Sequence, residues 1–480
     1  MKKLICLLLS VMMLLSFAAC GKDNPTSSPD DSSTPGGVES NGKYLTVSVI
    51  DKGMGTAWLK DLAKRYRNKT GTTVDVKGSA TLNEQMGSQL TSGEKTSDIY
   101  FCFNSQLEWV TWASTGAIVP LDDVIPEENF RNETVYKLGN YNGHKYYLPF
   151  AYNPTGIVYN VDYLEALGYS EFPDTWPELL ELCEKVNASD LYSNYTGDKV
   201  APMVWAGGTG DMVYLFRSLW AQVDPEGWEA YWGQTDKAGA HGEANKGLLV
   251  NDSTERVMQA IIDLLAPTQS ANGKSYYSAN SHASSTGYSN IEAQTAFLEG
   301  NAVFNITGAW FENEMQEEIA EYDETNYAFA AFPKLDPSKP ASVSINLPGE
   351  NFYISANGKN NDVEEAKNFL RYVLSEEGCQ ISHNQLNLPL CYKYDESKLN
   401  LSNWGKQVKA VADSANGAIN GSDSKIFLSG VLTLNLNNYF TNMAQAVVQE
   451  SCDYTNPRSM LTALYNYQIA GWDDAVNKIK

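Results

Sequence analysis

Apolar and polar positions along residues 44–380 switch repeatedly between a period of two and a period near 3.6. The run YLTVSVI (44–50) is β-branched and aromatic and has the length of a strand. After the turn DKGMGT, the residues Leu59, Leu62, Ala63 and Tyr66 recur at i, i+3, i+4 and i+7, which is one face of a helix. TTVDV (72–76) predicts a second strand, 82–92 a helix, DIYFCF (98–103) a buried strand and 106–115 a helix. In that last helix Trp109, Trp112 and Ala113 form an inward stripe. The alternation resumes after residue 155 with strand GIVYN, helix 161–167 and helix TWPELLELCEKV. It continues with strand APMVW, helices 211–222, 254–265 and 290–299, strand AVFNI and helix 309–320. Helix 362–375 places Val363, Ala366, Leu370 and Val373 on one face, and the last hundred residues read as mostly helical. Strands alternating with helices predict an α/β fold with largely parallel sheets covered on both faces. No repeat of fixed period is visible.

The pattern differs at the start of the chain. Lys2 and Lys3 precede an apolar run, Leu4 to Phe17, which is short for a bilayer span and reads as a secretory signal. Ala18 and Ala19 then abut Cys20, an arrangement that resembles a bacterial lipobox, with Phe17 where that pattern prefers Leu. The resemblance implies cleavage after residue 19 and a diacylglyceryl group on the Cys20 sulfur. From Gly21 to Lys43 the only large apolar residue is Val38, so residues 20–43 are expected to be a lipid anchor and disordered tether. Such a chain reaches about 25–30 Å r.m.s..

Charge and composition narrow the partners. The chain carries 35 basic and 58 acidic residues, net −23; loss of residues 1–19 removes two lysines and no acid and makes it −25. A field of that sign repels nucleic acid. Tyr (28) and Trp (11) are abundant, and flat rings with a polar tip suit sugar-binding surfaces as well as cores. Apart from Cys6 and Cys20 the cysteines are Cys102, Cys183, Cys379, Cys391 and Cys452. An odd number leaves at least one thiol free, and the spacing of Cys379 and Cys391 permits a pair without demanding one. No CxxC pattern occurs and His144, His241, His282 and His383 are scattered, so neither a metal nor another cofactor is expected.

Four stretches carry a family resemblance: KYYLPFAYNPTGIVYNVDYLEALGYSEFPDTWPEL (145–179), AFLEGNAVFNITGAWF (296–311), YAFAAFPKL (327–335) and YISANGKNNDVEEAKNFLRYVLSEEGCQ (353–380). Together they resemble the extracellular solute-binding proteins of bacterial ABC importers, in the carbohydrate-binding, maltose-binding-protein-like group. The spacing F-x-x-G-x-A-x-x-x-x-G-x-W in the second stretch is the most specific. The resemblance thins after residue 395. It implies a two-lobed class II periplasmic-binding-protein fold with a ligand cleft, lobe one spanning 43–153 plus 350–395 and lobe two 154–349 plus 396–480.

In open α/β sheets ligands sit beyond the carboxyl ends of strands. That places Asp51 and Lys52 at the cleft, as acceptor and donor to hydroxyls or as a solvated turn, with Gly53 and Gly55 permitting close backbone approach. Asn104 and Ser105 follow another strand and can bond a hydroxyl or cap the next helix. Tyr152 and Asn153 lie on the expected first crossover, stiffened by Pro154, either as ligand contacts or as hinge. Trp205 ends a strand before AGGTG and is expected to stack on a sugar, core packing being the other reading; GxxxxGK[ST] is absent there. Trp310 shares a face with Asn313, Glu314 and Glu317, while Phe311, Met315 and Ile319 form the apolar stripe, so its ring needs a partner outside the core. The resemblance places a stacking Trp here, and Gly308 would let the ligand approach closely. Tyr288, Trp228 and Trp232 are weaker candidates, the last two as a cover for lobe two.

The expected function is capture of a sugar or oligosaccharide and its delivery to an ABC permease, by a monomeric, lipid-anchored, extracytoplasmic protein that makes and breaks no covalent bond. Two other readings stand beside it: a surface glycoside hydrolase with two carboxylates, and the same fold carrying a peptide, polyamine or metal chelate. No G-x-S-x-G or H-E-x-x-H occurs.

Overall fold

The computed structural model describes residues 38–92, 97–103, 108–232, 243–269, 271, 276–347, 349–418 and 456–478. Cys20 with its tether, Asn104, Ser105 and Cys452 lie outside the described residues. Two separate α/β sheets organise the chain. The first has the strand order Thr73–Ser79, Tyr44–Ile50, Ile99–Phe103, Glu350–Ile354, Leu148–Pro149. Tyr44–Ile50 is parallel to both of its neighbours, whereas Glu350–Ile354 runs antiparallel to both of its own. The second sheet has the order Tyr327–Ala330, Thr155–Asn160, Ala302–Gly308, Ala201–Val204.

The largely parallel sheet predicted from the alternation holds for residues 44–103 and fails in the second lobe. There Thr155–Asn160 is antiparallel to both neighbours and only Ala302–Gly308 with Ala201–Val204 is parallel. Strand direction depends on how the chain enters a sheet, and apolar periodicity carries no record of that. The helix expected over 309–320 is also broken. It becomes Phe311–Glu314 and Gln316–Glu321, separated at Met315 with φ −107° and ψ 26°. Tertiary bonds hold the first turn in its own orientation, with Asn313 Nδ2 donating to the Leu386 carbonyl at 2.7 Å.

Each sheet has an aromatic core. In lobe one, Trp58 from helix Ala57–Thr70 stacks on Phe150 at 4.5 Å and meets Phe101 and Phe352 edge-on. Glu365 anchors helix Val363–Val373 to this lobe by accepting from Tyr66 Oη (2.8 Å), Thr72 Oγ1 (2.7 Å) and Lys43 Nζ (2.9 Å). In lobe two, helix Met212–Val223 is buried along most of its length, and Trp220 packs with Trp228 and Tyr231, beside Trp232. Trp109 and Trp112 are core residues of lobe one, as their stripe predicts. Cys102, Cys183, Cys379 and Cys391 are buried and free, so Cys379 and Cys391 are unpaired. Burial pushes the Cys183 and Cys379 thiols up to about 12, which keeps them protonated and unreactive.

Three segments join the lobes. Residues 150–154 form the first, held by the Tyr152 N–H on the Pro389 carbonyl (2.8 Å) and the Cys391 N–H on that of Phe150 (2.8 Å). Residues 344–347 belong to the second, which lies beside the first through Asn346 N–H to the Asn153 carbonyl at 2.9 Å. The third, 387–402, leads to helix Asn403–Ser414, which docks Trp404 on Phe311, Tyr327 and Phe329. Arg131 ties the crossings together: its guanidinium lies over the Tyr152 ring at 4.6 Å and bonds Asp413 at 3.1 Å. Helix Pro457–Ile469 packs on helix Asp252–Leu265 of lobe two, with Arg458 paired to Asp252 (2.5 Å) and Glu255 (2.7 Å).

The Tyr152 hydroxyl presses on Gly417, where a β-carbon would overlap it. Gly417→Ala is therefore expected to lower the unfolding temperature, and adding Tyr152→Phe should recover most of the loss. Thermal unfolding of the single and double variants checks this; the absence of coupling between them would contradict the contact.

Candidate functional site

Loops at matching ends of the two sheets face one another. From lobe one comes the turn after Tyr44–Ile50, where Gly53 and Gly55 adopt φ +60° and +61°, a region that favours glycine. The Asp51 carboxylate lies over Gly78 of the edge strand, 2.9 Å from where a β-carbon there would sit. Lys52 is exposed and within electrostatic reach of Glu314 on the opposite lobe. Next to this turn, Glu350 opens its strand opposite Phe103.

From lobe two come the loop 205–211 and the turn 308–314. The Gly207 N–H donates to the Ser285 carbonyl and that of Gly208 to Tyr288, both at 2.8 Å, so the loop lies flat on segment 285–288. A β-carbon on Gly207 would sit 2.6 Å from Thr286 Cα, which explains glycine there. Asp211 closes the loop by accepting the Ala206 N–H at 3.1 Å. One turn later Tyr214 meets Trp310 edge to face, with centroids 5.9 Å apart.

The sequence-predicted residues divide as follows. Trp310 stands at this edge, 7% exposed, immediately before helix Phe311–Glu314. Gly308 does serve close approach, but of that ring rather than of a guest: Trp310 folds over it and would overlap any β-carbon. Trp205 corrects the stacking expectation. It is 0% exposed within the lobe-two core, and its Nε1 donates to Ser281 Oγ at 3.0 Å, so both its face and its polar tip are occupied. Tyr152 and Asn153 lie on the first crossover, the former under Arg131 with burial raising its hydroxyl to about 12. Asn153 is buried, and its Oδ1 has no partner among the described residues. Trp228 and Trp232 cover lobe two, and Tyr288 stacks on His282 at 5.7 Å.

Asp211, Tyr214 and Glu350 were missed, and Glu314 was noted only as a neighbour of Trp310. A signal existed for Asp211, which follows a glycine-rich loop at a strand end. Glu350 had none, because it borders the apolar run NFYI and reaches the site only through strand insertion. Burial raises all three carboxyls. Asp211 moves up to about 8 and Glu350 up to about 7, each raised a little further by Glu314. Glu314 is raised by burial too, offset by the Gln294 amide at 2.9 Å and by Lys52. Among the described residues no group of three or more His, Cys, Asp or Glu is placed to hold a metal ion.

Glu350→Gln isolates the charge term. The carboxyl titrates near 4.5 ordinarily and near 7 when folded, so the native state binds more protons in that window and loses stability as pH rises through it. The variant should be more stable than wild type at pH 8, by at most about 3 kcal/mol, and equal to it at pH 4. Unfolding midpoints at both pH values check this; the same offset at both would exclude the charge.

The comparisons follow this geometry. The model of the family described as bacterial extracellular solute-binding protein matches residues 52–378. The diacetylchitobiose binding protein DasA of Streptomyces coelicolor is 29% identical over 198 residues, 40% of this chain and 45% of the relative. The match thus spans about half the length of that curated relative. Among solved structures, a chitin oligosaccharide binding protein shares the fold with a TM-score of 0.63 at 18% identity, covering 90% of this chain and 99% of that one. With two α/β sheets, loops meeting between them and a family match across most of its length, the chain belongs to the bacterial extracellular solute-binding proteins.

Proposed function

We propose that this protein captures an oligosaccharide between its lobes and delivers it to the permease of an ABC importer. The observation that carries the reading is Trp310, a large ring immediately before helix Phe311–Glu314, backed edge to face by Tyr214 and sharing its turn with Glu314. An indole stacks on the apolar face of a sugar while carboxyl oxygens accept hydrogen bonds from its hydroxyls. The relative named as a diacetylchitobiose binding protein supports a saccharide guest. Residues 43–153 plus 350–395 form lobe one and 154–349 plus 396–480 lobe two in this reading. Asp51, Lys52, Asn104, Ser105, Tyr152 and Asn153 are the further residues proposed to contact or frame the guest.

The guest binds the closed arrangement better than the open one and so shifts the population about the three crossings. No covalent step is involved. Cys20 carries the lipid, and the chain from residue 21 up to Val38, where backbone bonds to Asn68 and then Gly71 join it to lobe one rather than leaving it in the expected tether, holds a monomeric body outside the cytoplasm and raises its concentration near the permease. No helix among the described residues is long and apolar enough to cross a membrane.

Titration calorimetry and thermal shift with a panel of saccharides, polyamines and short peptides test this reading. A cognate saccharide should raise the unfolding temperature in proportion to ln(1 + [L]/Kd). Trp310→Ala should weaken it about 10- to 100-fold, or about 1.4–2.8 kcal/mol, with the circular dichroism unchanged. Full affinity in that variant would remove the proposed grip, and shortened products in the mixture would replace binding by hydrolysis.

A further inference from the structure

Helix Ala57–Thr70 is out of keeping with the charge of the chain around it. In a sequence of net −23 it carries five cations and one acid. Arg65 is paired to Asp61 at 2.9 Å and Lys69 to Glu377 at 2.5 Å. Lys60, Lys64 and Arg67 recur at i, i+4 and i+7, are exposed, and have no ion pair among the described residues. They line a groove of 350 Å³ on the outside of lobe one. Buried Ala63 and Val76 and half-buried Val74 supply its apolar lining. Asp75 borders it too, but its carboxylate is occupied by Lys77 at 3.1 Å and Tyr44 Oη at 2.9 Å.

The other side of the groove is an open sheet edge. Thr73–Ser79 ends the first sheet and, among the described residues, pairs with Tyr44–Ile50 alone. The Thr73 N–H donates to the Lys43 carbonyl at 3.0 Å, so by strand alternation the backbone groups of Val74 and Val76 point away from that neighbour. A bare edge beside uncompensated cations fits an extended acidic segment. The chain holds one within reach. In residues 21–37 the charged residues are Asp23, Asp30, Asp31 and Lys22. The described backbone begins at Val38, whose N–H donates to the Asn68 carbonyl at 3.4 Å, next to Arg67 at one end of the groove. Asp31 stands seven residues before Val38, a span of up to about 23 Å. The helix from Asn68 back to Lys60 covers about 12 Å. Between Pro29 and Pro35, residues 30–34 contain no proline, so each can donate an N–H to an edge.

We propose that this groove docks the chain's own acidic segment, residues 30–34, with Asp30 and Asp31 set against Lys60, Lys64 and Arg67. Entry at Val38 makes the segment antiparallel to Thr73–Ser79, because helix Ala57–Thr70 runs opposite to the strand that follows it. The docking is independent of the saccharide reading. With a lipid on Cys20 it shortens the free tether to residues 20–29, a reach of about 17 Å r.m.s., and holds the body closer to the membrane. Exposed ion pairs are screened by salt, so the docked arrangement gives way as ionic strength rises.

Hydrogen exchange read by mass spectrometry tests this, on the chain from residue 20 onward with Cys20→Ser so that no lipid attaches. In about 20 mM salt, peptides covering 73–79 should exchange at least fivefold more slowly than when Asp30→Asn and Asp31→Asn are added. The difference should vanish in about 0.5 M salt. Lys60→Glu with Lys64→Glu should lose the same protection, and joining them to Asp30→Lys and Asp31→Lys should restore it. Equal exchange with and without the two aspartates overturns the proposal, as does a charge reversal that restores nothing. Protection that grows with protein concentration assigns the groove to a second copy, and protection that appears only with vesicles of anionic lipid assigns it to a membrane surface; either overturns the proposal. The aspartate comparison leaves every residue of lobe one unchanged, so a poorly folding lysine variant leaves the outcome decisive.

Discussion

The structure depends on one insertion: Glu350–Ile354 must return from the second lobe and slot between Ile99–Phe103 and Leu148–Pro149. Without it the short strand Leu148–Pro149 has no partner in the sheet, and Phe352 cannot join Trp58, Phe101 and Phe150 in the lobe-one core. The insertion also obliges the chain to cross between the lobes. The second crossing is stitched to the first by Asn346 and Asn153.

The same insertion sets the chemistry of the cleft. It delivers a carboxyl to the rim of a sheet whose interior is apolar, where burial disfavours the charged form. Lobe two supplies its own buried acid, Asp211, at the end of a loop packed flat on segment 285–288. Both lobes thus carry a buried acid at a loop beyond a sheet, and burial raises each of these carboxyls. Arg131, stacked on Tyr152 and bonded to Asp413, lies on the hinge side, where it couples the crossings without touching the rim.

Several features were legible from residue order. YLTVSVI became the strand Tyr44–Ile50, and the stripe through Leu59, Leu62, Ala63 and Tyr66 became the buried face of helix Ala57–Thr70. Trp310 reads from residue order as a large ring on a polar face, and in the fold that ring lies over Gly308 with Tyr214 at its edge, 7% exposed. Trp205 was misjudged because a strand-end tryptophan before glycines looks the same whether its ring faces a cleft or a core. Ser281, which takes its indole N–H, lies far along the chain.

Local periodicity and residue type were enough to establish an α/β chain with a segmented pattern of strands and helices, an acidic surface and a candidate aromatic contact. These properties follow from interactions within a few residues or from a sum over all of them. Strand direction in the second sheet, the break at Met315, the burial of Trp205 and the seating of Glu350 over Gly53 belong to another class. Each is set by which distant segments pack together, and burial and electrostatic reach exist only once that packing has brought them side by side.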